Sequence, residues 1–276
     1  MPAAPYQDLF IYYLSGRVST DREFGPHFIG NWQEADSSFL FFSTPSRPQV
    51  DTLVAEQPGL VFEDEYQMSY DQWQGGHLQP VAMGRFNIIP PWASTSTCGR
   101  IDSKTEIDIF LDPGVVFGNG LHPTTRDCLE ALQMLREQAS PLTVLDLGTG
   151  TGLLALAAAR LGARRVLAVD LNHLAVKTTW ANLKHNQLQD RVLAVQGRAE
   201  DFVDRPADLL MANIHFDVMK QMVGAAGFLA RPWLILSGLL RSEARFITDQ
   251  LTRQGASIIH DWVHEGTWHT FLVRSG

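Results

Sequence analysis

Beyond residue 140 the apolar residues fall into blocks of two kinds. Continuous runs at 142–147, 166–170, 191–196, 207–214 and 233–237 have strand length, the pattern of strands buried on both faces. Between them, 153–161 is rich in Ala and Leu, and 172–186, 217–229 and 242–254 mix apolar and polar residues over helix-length stretches. Regular alternation of the two predicts a parallel sheet with helices on both faces. The ending differs: 257–263 and 268–273 both read as strands, and the four residues between them are too few for a parallel crossover. One terminal strand must therefore run antiparallel, giving a seven-stranded α/β sheet that ends in an antiparallel hairpin.

The first 62 residues have another pattern. Aromatic and β-branched blocks at 9–18 and 38–43 with a Gly-rich, polar loop between them, a helix at 48–57 ended by Pro58-Gly59, and a short strand at 60–62 predict a small α+β domain. In 66–74, Tyr66, Tyr70 and Trp73 lie at i, i+4 and i+7, which predicts a helix. Residues 63–78 thus read as a helical linker, and 79–276 as the larger domain. That domain opens with two short strands divided by Gly84 and another at 106–111. A loop of 14 residues, 112–125, follows with three glycines and two prolines, and a loop so long in a compact domain usually has a function. The helix after it, to about 138, has Thr124 as its expected N-cap and Asp127 three residues on.

Candidate chemistry is concentrated where the first parallel strand ends. Val144-Leu-Asp-Leu-Gly-Thr-Gly-Thr-Gly152 is a strand, a tight glycine turn and a helix N-terminus, in which Gly148, Gly150 and Gly152 let a ligand approach the backbone. A dinucleotide fingerprint is G-x-G-x-x-G, whereas here the third glycine falls one residue early and Asp146 stands two residues before the first. That favours S-adenosylmethionine (AdoMet), whose amino group and sulfonium give Asp146 something to face. The next strand ends in Asp170, 22 residues after Gly148, where a carboxylate can accept hydrogen bonds from both ribose hydroxyls. Asn213 ends the fourth parallel strand, at the sheet edge where open α/β folds bind ligands; its amide oxygen can accept from an amine or from the methionine moiety, and the same residue can cap the next helix.

Composition narrows the classes. With 30 acids against 22 Lys and Arg the net charge of −8 disfavours a phosphate backbone as partner and suits a basic one. The only cysteines, Cys98 and Cys128, form no C-x-x-C, so neither a disulfide framework nor a zinc site is expected. The start lacks the basic and apolar regions of a signal peptide, and the run at 9–14 is too short to span a bilayer; a cytoplasmic protein without a membrane partner is expected.

Phe117-Gly-Asn-Gly-Leu-His-Pro-Thr-Thr125, the 144–152 motif, Asp170 and Asn213-Ile214 together resemble the ribosomal large-subunit protein eleven methyltransferase family, the PrmA family. The resemblance extends from Tyr66 to the C-terminus through Gly84-Arg85, Ile89-Pro-Pro-Trp92, Ser237-Gly238 and Glu265-Gly-Thr-Trp268. It implies a Rossmann-like AdoMet-dependent methyltransferase that modifies protein amines, with a small N-terminal substrate-recognition domain. It also implies that Thr125, Gly148, Asp170 and Asn213 contact the cofactor. His215-Phe216 departs from the small or aliphatic residues usual after Asn-Ile.

The site expected from residues and resemblance together has Asn213 as its catalytic residue. Thr125, Asp146, Gly148, Gly150, Asp170 and Asn213 hold AdoMet, and methyl transfer to a neutral amine needs no metal. The acceptor implied is a lysine or N-terminal amine of a ribosomal protein. Other acceptors, a different protein or a small molecule, use the same cofactor site, and direct nucleic-acid binding is not expected from a chain without basic runs. A non-catalytic AdoMet-binding module is the reading from another class. His122 can be a base or a loop anchor, and His215 and Trp268 can face the substrate or serve structure.

Overall fold

The computed structural model describes residues 4–18, 24–93 and 107–276. Two compact units make up the chain, the first reaching Gln79 and the second starting at Pro80, apart from two three-residue stretches that group with the first. The first unit contains β1 (Asp8–Ser15), β2 (Phe28–Glu34), β3 (Ser37–Phe42), α1 (Arg47–Glu56), β4 (Val61–Ser69) and α2 (Tyr70–Trp73). Its strands lie in the order β2-β3-β1-β4, every pair antiparallel. Alternate residues Tyr12 and Leu14 of β1, with Leu40 and Phe42 of β3, pack with Val50 and Leu53 of α1 into a core of its own.

The second unit begins with β5 (Val81–Met83), β6 (Phe86–Ile89) and β7 (Ile107–Phe110), a three-stranded sheet in that order. It continues through α3 (Pro123–Gln138), β8 (Thr143–Leu147), α4 (Leu153–Arg160), β9 (Arg165–Asp170), α5 (His173–Asn186), β10 (Val192–Gln196), β11 (Leu209–Asn213), α6 (Phe216–Val223), β12 (Trp233–Leu240), α7 (Arg241–Arg253), β13 (Ser257–His264) and β14 (Trp268–Arg274). The seven large-sheet strands lie in the order β10-β9-β8-β11-β12-β14-β13. Those from β10 to β12 are parallel, and β14 is antiparallel to both of its neighbours, as the short hairpin loop requires. Successive residues of β8 and β11 enter opposite faces: Val144 and Leu209 join the core with α3 and α4, Leu145 and Leu210 the core with α6 and α7. Strand order reverses between β8 and β11, so the segments leaving their carboxyl ends pass to opposite faces of the sheet, the place where open α/β folds bind ligands.

Four expectations need correction. The helix expected at 66–74 is strand up to Ser69, and helix only from Tyr70 to Trp73. The aromatic spacing loses to pairing of β4 with β1, and residues 63–69 of the expected linker are the edge of the small sheet. A strand at 28–34 was read as loop because Gly30 and Asn31 interrupt it; it too is an edge strand, with an irregular register at Gly30. Helix α3 is capped by His122, not Thr124, since Pro123 takes the first helical position where its missing N–H costs nothing. Finally, α6 ends at Val223 rather than near 229, with Gly224 as its C-cap. Cys98 and the first residue of the strand expected at 106–111 lie outside the described residues. No helix among those described is long and apolar enough to cross a membrane.

Candidate active site

At the end of β8 the chain turns through Gly148, Gly150 and Gly152 at φ of +74°, +56° and +84°, a region that residues with a Cβ avoid. Backbone N–H groups of Gly148 and Thr149 donate to Val169 O at 2.8 and 3.0 Å, and Gly150 N–H donates to the Asp170 carboxylate at 3.0 Å. The turn is thus bolted to the end of β9, and the two halves of the motif recognised in sequence form one unit. The glycines are also required by close packing: a Cβ on Gly150 would lie 2.5 Å from Phe117 O, and one on Gly148 would lie 2.9 Å from the Ile214 side chain.

Asp146 sits beneath this turn, 1 % exposed, and Thr149 Oγ1 donates to it at 2.6 Å. Burial pushes its carboxyl up to about 7, and the neighbouring Asp170 charge adds to the rise. The side chain expected to face a sulfonium is therefore directed at the turn it supports.

The 112–122 loop lies against the same turn. Thr151 N–H donates to Phe117 O at 3.2 Å and Thr151 Oγ1 to Gly118 O at 2.7 Å. Its start is held by buried asparagines of α5: Asn182 exchanges hydrogen bonds of 2.8 Å with both backbone groups of Asp112 and gives another to Thr151 O, and Asn186 pairs with both backbone groups of Phe110. Thr179, one turn earlier on that helix face, donates to Gly150 O at 2.9 Å. Sequence reasoning missed these three residues. Their signal was two asparagines at i and i+4 in a helix, a costly choice unless the amides have work inside.

Where the loop enters α3, it meets the end of β11. Asn213 Nδ2 donates to Thr124 Oγ1 at 3.3 Å and reaches Thr125 Oγ1 at 3.5 Å, both threonines being buried. Thr124 Oγ1 also bonds His122 Nδ1 at 2.7 Å, and its carbonyl accepts from Ser237 Oγ at 3.4 Å. His122 stands between Phe117 and Trp268, with ring centroids at 5.6 and 5.2 Å. Burial, with His264 nearby, lowers its pKa, so the imidazole is neutral at pH 7. Trp268 belongs to this cluster, whereas the His215 side chain is 80 % exposed, 3.7 Å from Asp217, and its backbone caps α6.

Gly148, Gly150, Asp170, Thr125 and Asn213 thus meet at the reversal point of the sheet, and Asp146 supports them from below. The donor set fits AdoMet. A carboxylate at the end of the second parallel strand suits ribose hydroxyls; an anchored amide suits the amino-acid end; the half-exposed and exposed rings of Trp268 and Phe117 suit a sulfonium.

Sheet order, antiparallel β14 and glycine turn define the Rossmann-like fold of AdoMet-dependent methyltransferases. The profile of the family described as ribosomal protein L11 methyltransferase (PrmA) matches residues 61–275, and the chain belongs to that family. It is 36% identical over 195 residues to the ribosomal protein L11 methyltransferase of Geobacillus kaustophilus, covering 68% of this chain and 61% of that one. It is 36% identical over 211 residues to that of Anoxybacillus flavithermus, covering 74% and 64%. The chain therefore spans less than two thirds of either relative's length. A crystal structure described as ribosomal protein L11 methylase from Lactobacillus delbrueckii subsp. bulgaricus superposes with a TM-score of 0.60 at 26% identity, covering 72% of this chain and all of that one.

Proposed function

We propose that this chain transfers methyl groups from AdoMet to amines of ribosomal protein L11, as the names of its relatives suggest. The observation that carries the reading is the joining of three motifs at one strand-end site: the glycine turn bonded to Asp170, and Asn213 bonded to the F-G-x-G-x-H-P-T-T loop. Such a reaction belongs in the cytoplasm, where ribosomal proteins and AdoMet meet.

AdoMet supplies an electrophilic methyl group on a sulfonium. With AdoMet held by Thr125, Gly148, Gly150, Asp170 and Asn213, a neutral amine would take the methyl group through its nitrogen lone pair, the C–S bonding pair would leave with the sulfur, and the ammonium formed would give its proton to solvent. The protein's task is alignment and selection of the neutral amine. For a lysine with a pKa near 10.4, deprotonation at pH 7 costs about 4–5 kcal/mol, and an apolar site reduces that cost by disfavouring the ammonium. The rings of Phe117, His122 and Trp268 supply apolar surface, and the neutral His122 adds no repelling charge. Asn213, oriented by Thr124 and Thr125, offers an amide oxygen to the amine or to the amino-acid end of the cofactor. Incubating the purified protein with methyl-labelled AdoMet and L11 tests the reading: label should enter L11, and a preparation that binds AdoMet but labels only small molecules would overturn the protein acceptor.

A further inference from the structure

Residues 80–276 are neutral as a whole, with 19 acids and 19 Lys and Arg; the net −8 of the chain comes from residues 1–79, which hold 11 acids, three Arg and no Lys. Within the neutral part the charges are sorted. The turns that lead from α3 to β8, from α4 to β9 and from α5 to β10, residues 136–142, 160–165 and 184–191, carry six Lys and Arg, all exposed, against two acids, Glu137 and Asp190. All three lie at the amino ends of the adjacent strands β8, β9 and β10, the sheet edge opposite the glycine turn. Strands of five and six residues, about 16–20 Å long at 3.3 Å per residue, separate this edge from Gly148 and Asp170.

Arg165 opens β9, and Arg191 stands just before β10. Val166 pairs with Val192 and its N–H donates to Arg191 O at 2.8 Å, so the two arginines stand side by side. Arg191, Arg160, His185 and Asn186 line a cleft of about 410 Å³, with Asp190 also in its wall. Half-buried Phe110 lines it too, its backbone held on both sides by Asn186 at 3.0 and 2.6 Å. Two of the cations serve the fold: Arg136 Nε donates to Leu161 O at 3.1 Å and Arg160 to Asn186 O at 3.2 Å, each meeting carbonyls at the end of the next helix. Three helix ends amount to about −1.5 charges, less than half of the net +4 that six cations and two acids leave there. None of the six forms an ion pair with a described residue. They come from three separate stretches, so the patch leaves no basic run in the sequence, and only the fold assembles it.

We propose that this edge of the sheet binds single-stranded RNA, with Arg165 and Arg191 on phosphates of the strand and the Phe110 ring against a base. Guanidinium groups take phosphate oxygens in pairs, and an aromatic ring accepts any base by stacking; together they make a site that tolerates sequence. An acidic protein would use the arginines and have no use for the ring. The choice of RNA over DNA rests on the ribosomal substrate proposed above, while the site itself does not depend on methyl transfer. Bound here, RNA leaves the carboxyl-end edge of the sheet open to the cofactor.

The test uses the full-length protein, a fluorescent RNA strand of about 12 nucleotides and mixed sequence, and two variants: Arg165→Gln with Arg191→Gln, and Phe110→Leu, which keeps an apolar side chain. At low salt the double variant should bind the RNA about tenfold or more weakly. Its plot of log affinity against log salt should be shallower by about 1.4, for two lost phosphate contacts at about 0.7 each. Phe110→Leu should weaken binding about fivefold or more without changing that slope, because stacking releases no counterion. AdoMet affinity and methylation of free L11 should stay within about twofold of wild type in both variants, and saturating AdoMet should not displace the RNA. No binding by the wild type at low salt, undiminished RNA affinity in either variant, displacement by AdoMet, or tighter binding of a DNA strand of the same sequence overturns the proposal. RNA held through these residues by a protein that never methylates L11 keeps the site and defeats the reaction proposed above.

Discussion

Asn213 is where a functional and a merely structural account can be told apart. An asparagine at a strand end commonly caps the next helix, but α6 is capped by His215, and the Asn213 amide instead donates to the hydroxyls of Thr124 and Thr125. Those bonds fix the orientation of its oxygen. Asn213→Ala should therefore lower kcat about 100-fold or more at saturating AdoMet, the penalty for lost alignment, with little change in Tm. Full turnover in a folded variant would leave only an anchoring role. Asp146 makes a different contribution. Its carboxyl is raised to about 7 from the ordinary 3.8, so between those values the folded protein holds a proton that the unfolded chain has released. Its contribution to stability is therefore complete at acid pH and falls as pH rises through that window. Asp146→Asn keeps an acceptor for Thr149 and has no charge to bury, so its Tm relative to wild type should rise between about pH 4 and pH 7. A constant difference between the two would mean that Asp146 does not titrate there.

Among the elements, the glycine turn and the loop against it behave as one piece. Gly150 has φ of +56°, and an added Cβ would stand 2.5 Å from Phe117 O, so nothing flexible can yield. Gly150→Ala should push the Phe117–Thr125 loop off the turn, weakening AdoMet binding about tenfold or more, beyond the 1–2 kcal/mol cost of the left-handed backbone alone. Calorimetry against Gly162→Ala, where φ is +111° and a Cβ meets nothing, separates the two causes. The parallel strands and helices around this turn were legible because burial on both faces writes itself as continuous apolar runs. Edge strands were not: β4 carries Glu63, Asp64 and Glu65 in succession and buries almost nothing, so its strand character comes only from backbone bonds to β1. The motif residues could be read from their glycines and acids. Their supports on α5 could not be paired with what they hold, Thr179 with Gly150 and Asn182 and Asn186 with backbone 70 and 76 residues away, because a hydrogen bond across the fold leaves no spacing signal.

At the scale of the whole molecule, the hydrophobic cores and the balance of charge divide the chain at the same place. Residues up to Gln79 close their own core around Phe42 and Leu53, and the cores on either side of the large sheet draw only on residues from the second unit. Every residue assigned to AdoMet also lies in the second unit. A protein beginning at His77, past the turn at Gly75-Gly76 and before β5, should therefore fold and bind AdoMet with nearly the affinity of the full chain. It retains 19 acids and 19 Lys and Arg, so it also loses the acidic field. Its kcat/KM for L11 should fall by an order of magnitude or more and become nearly independent of salt, while a short lysine peptide, which needs only the site at Asn213, is methylated almost as before. If the shortened and full-length proteins methylate L11 equally, with the same salt dependence, recognition must reside in 77–276, and the acidic sheet serves some other purpose than choosing the substrate.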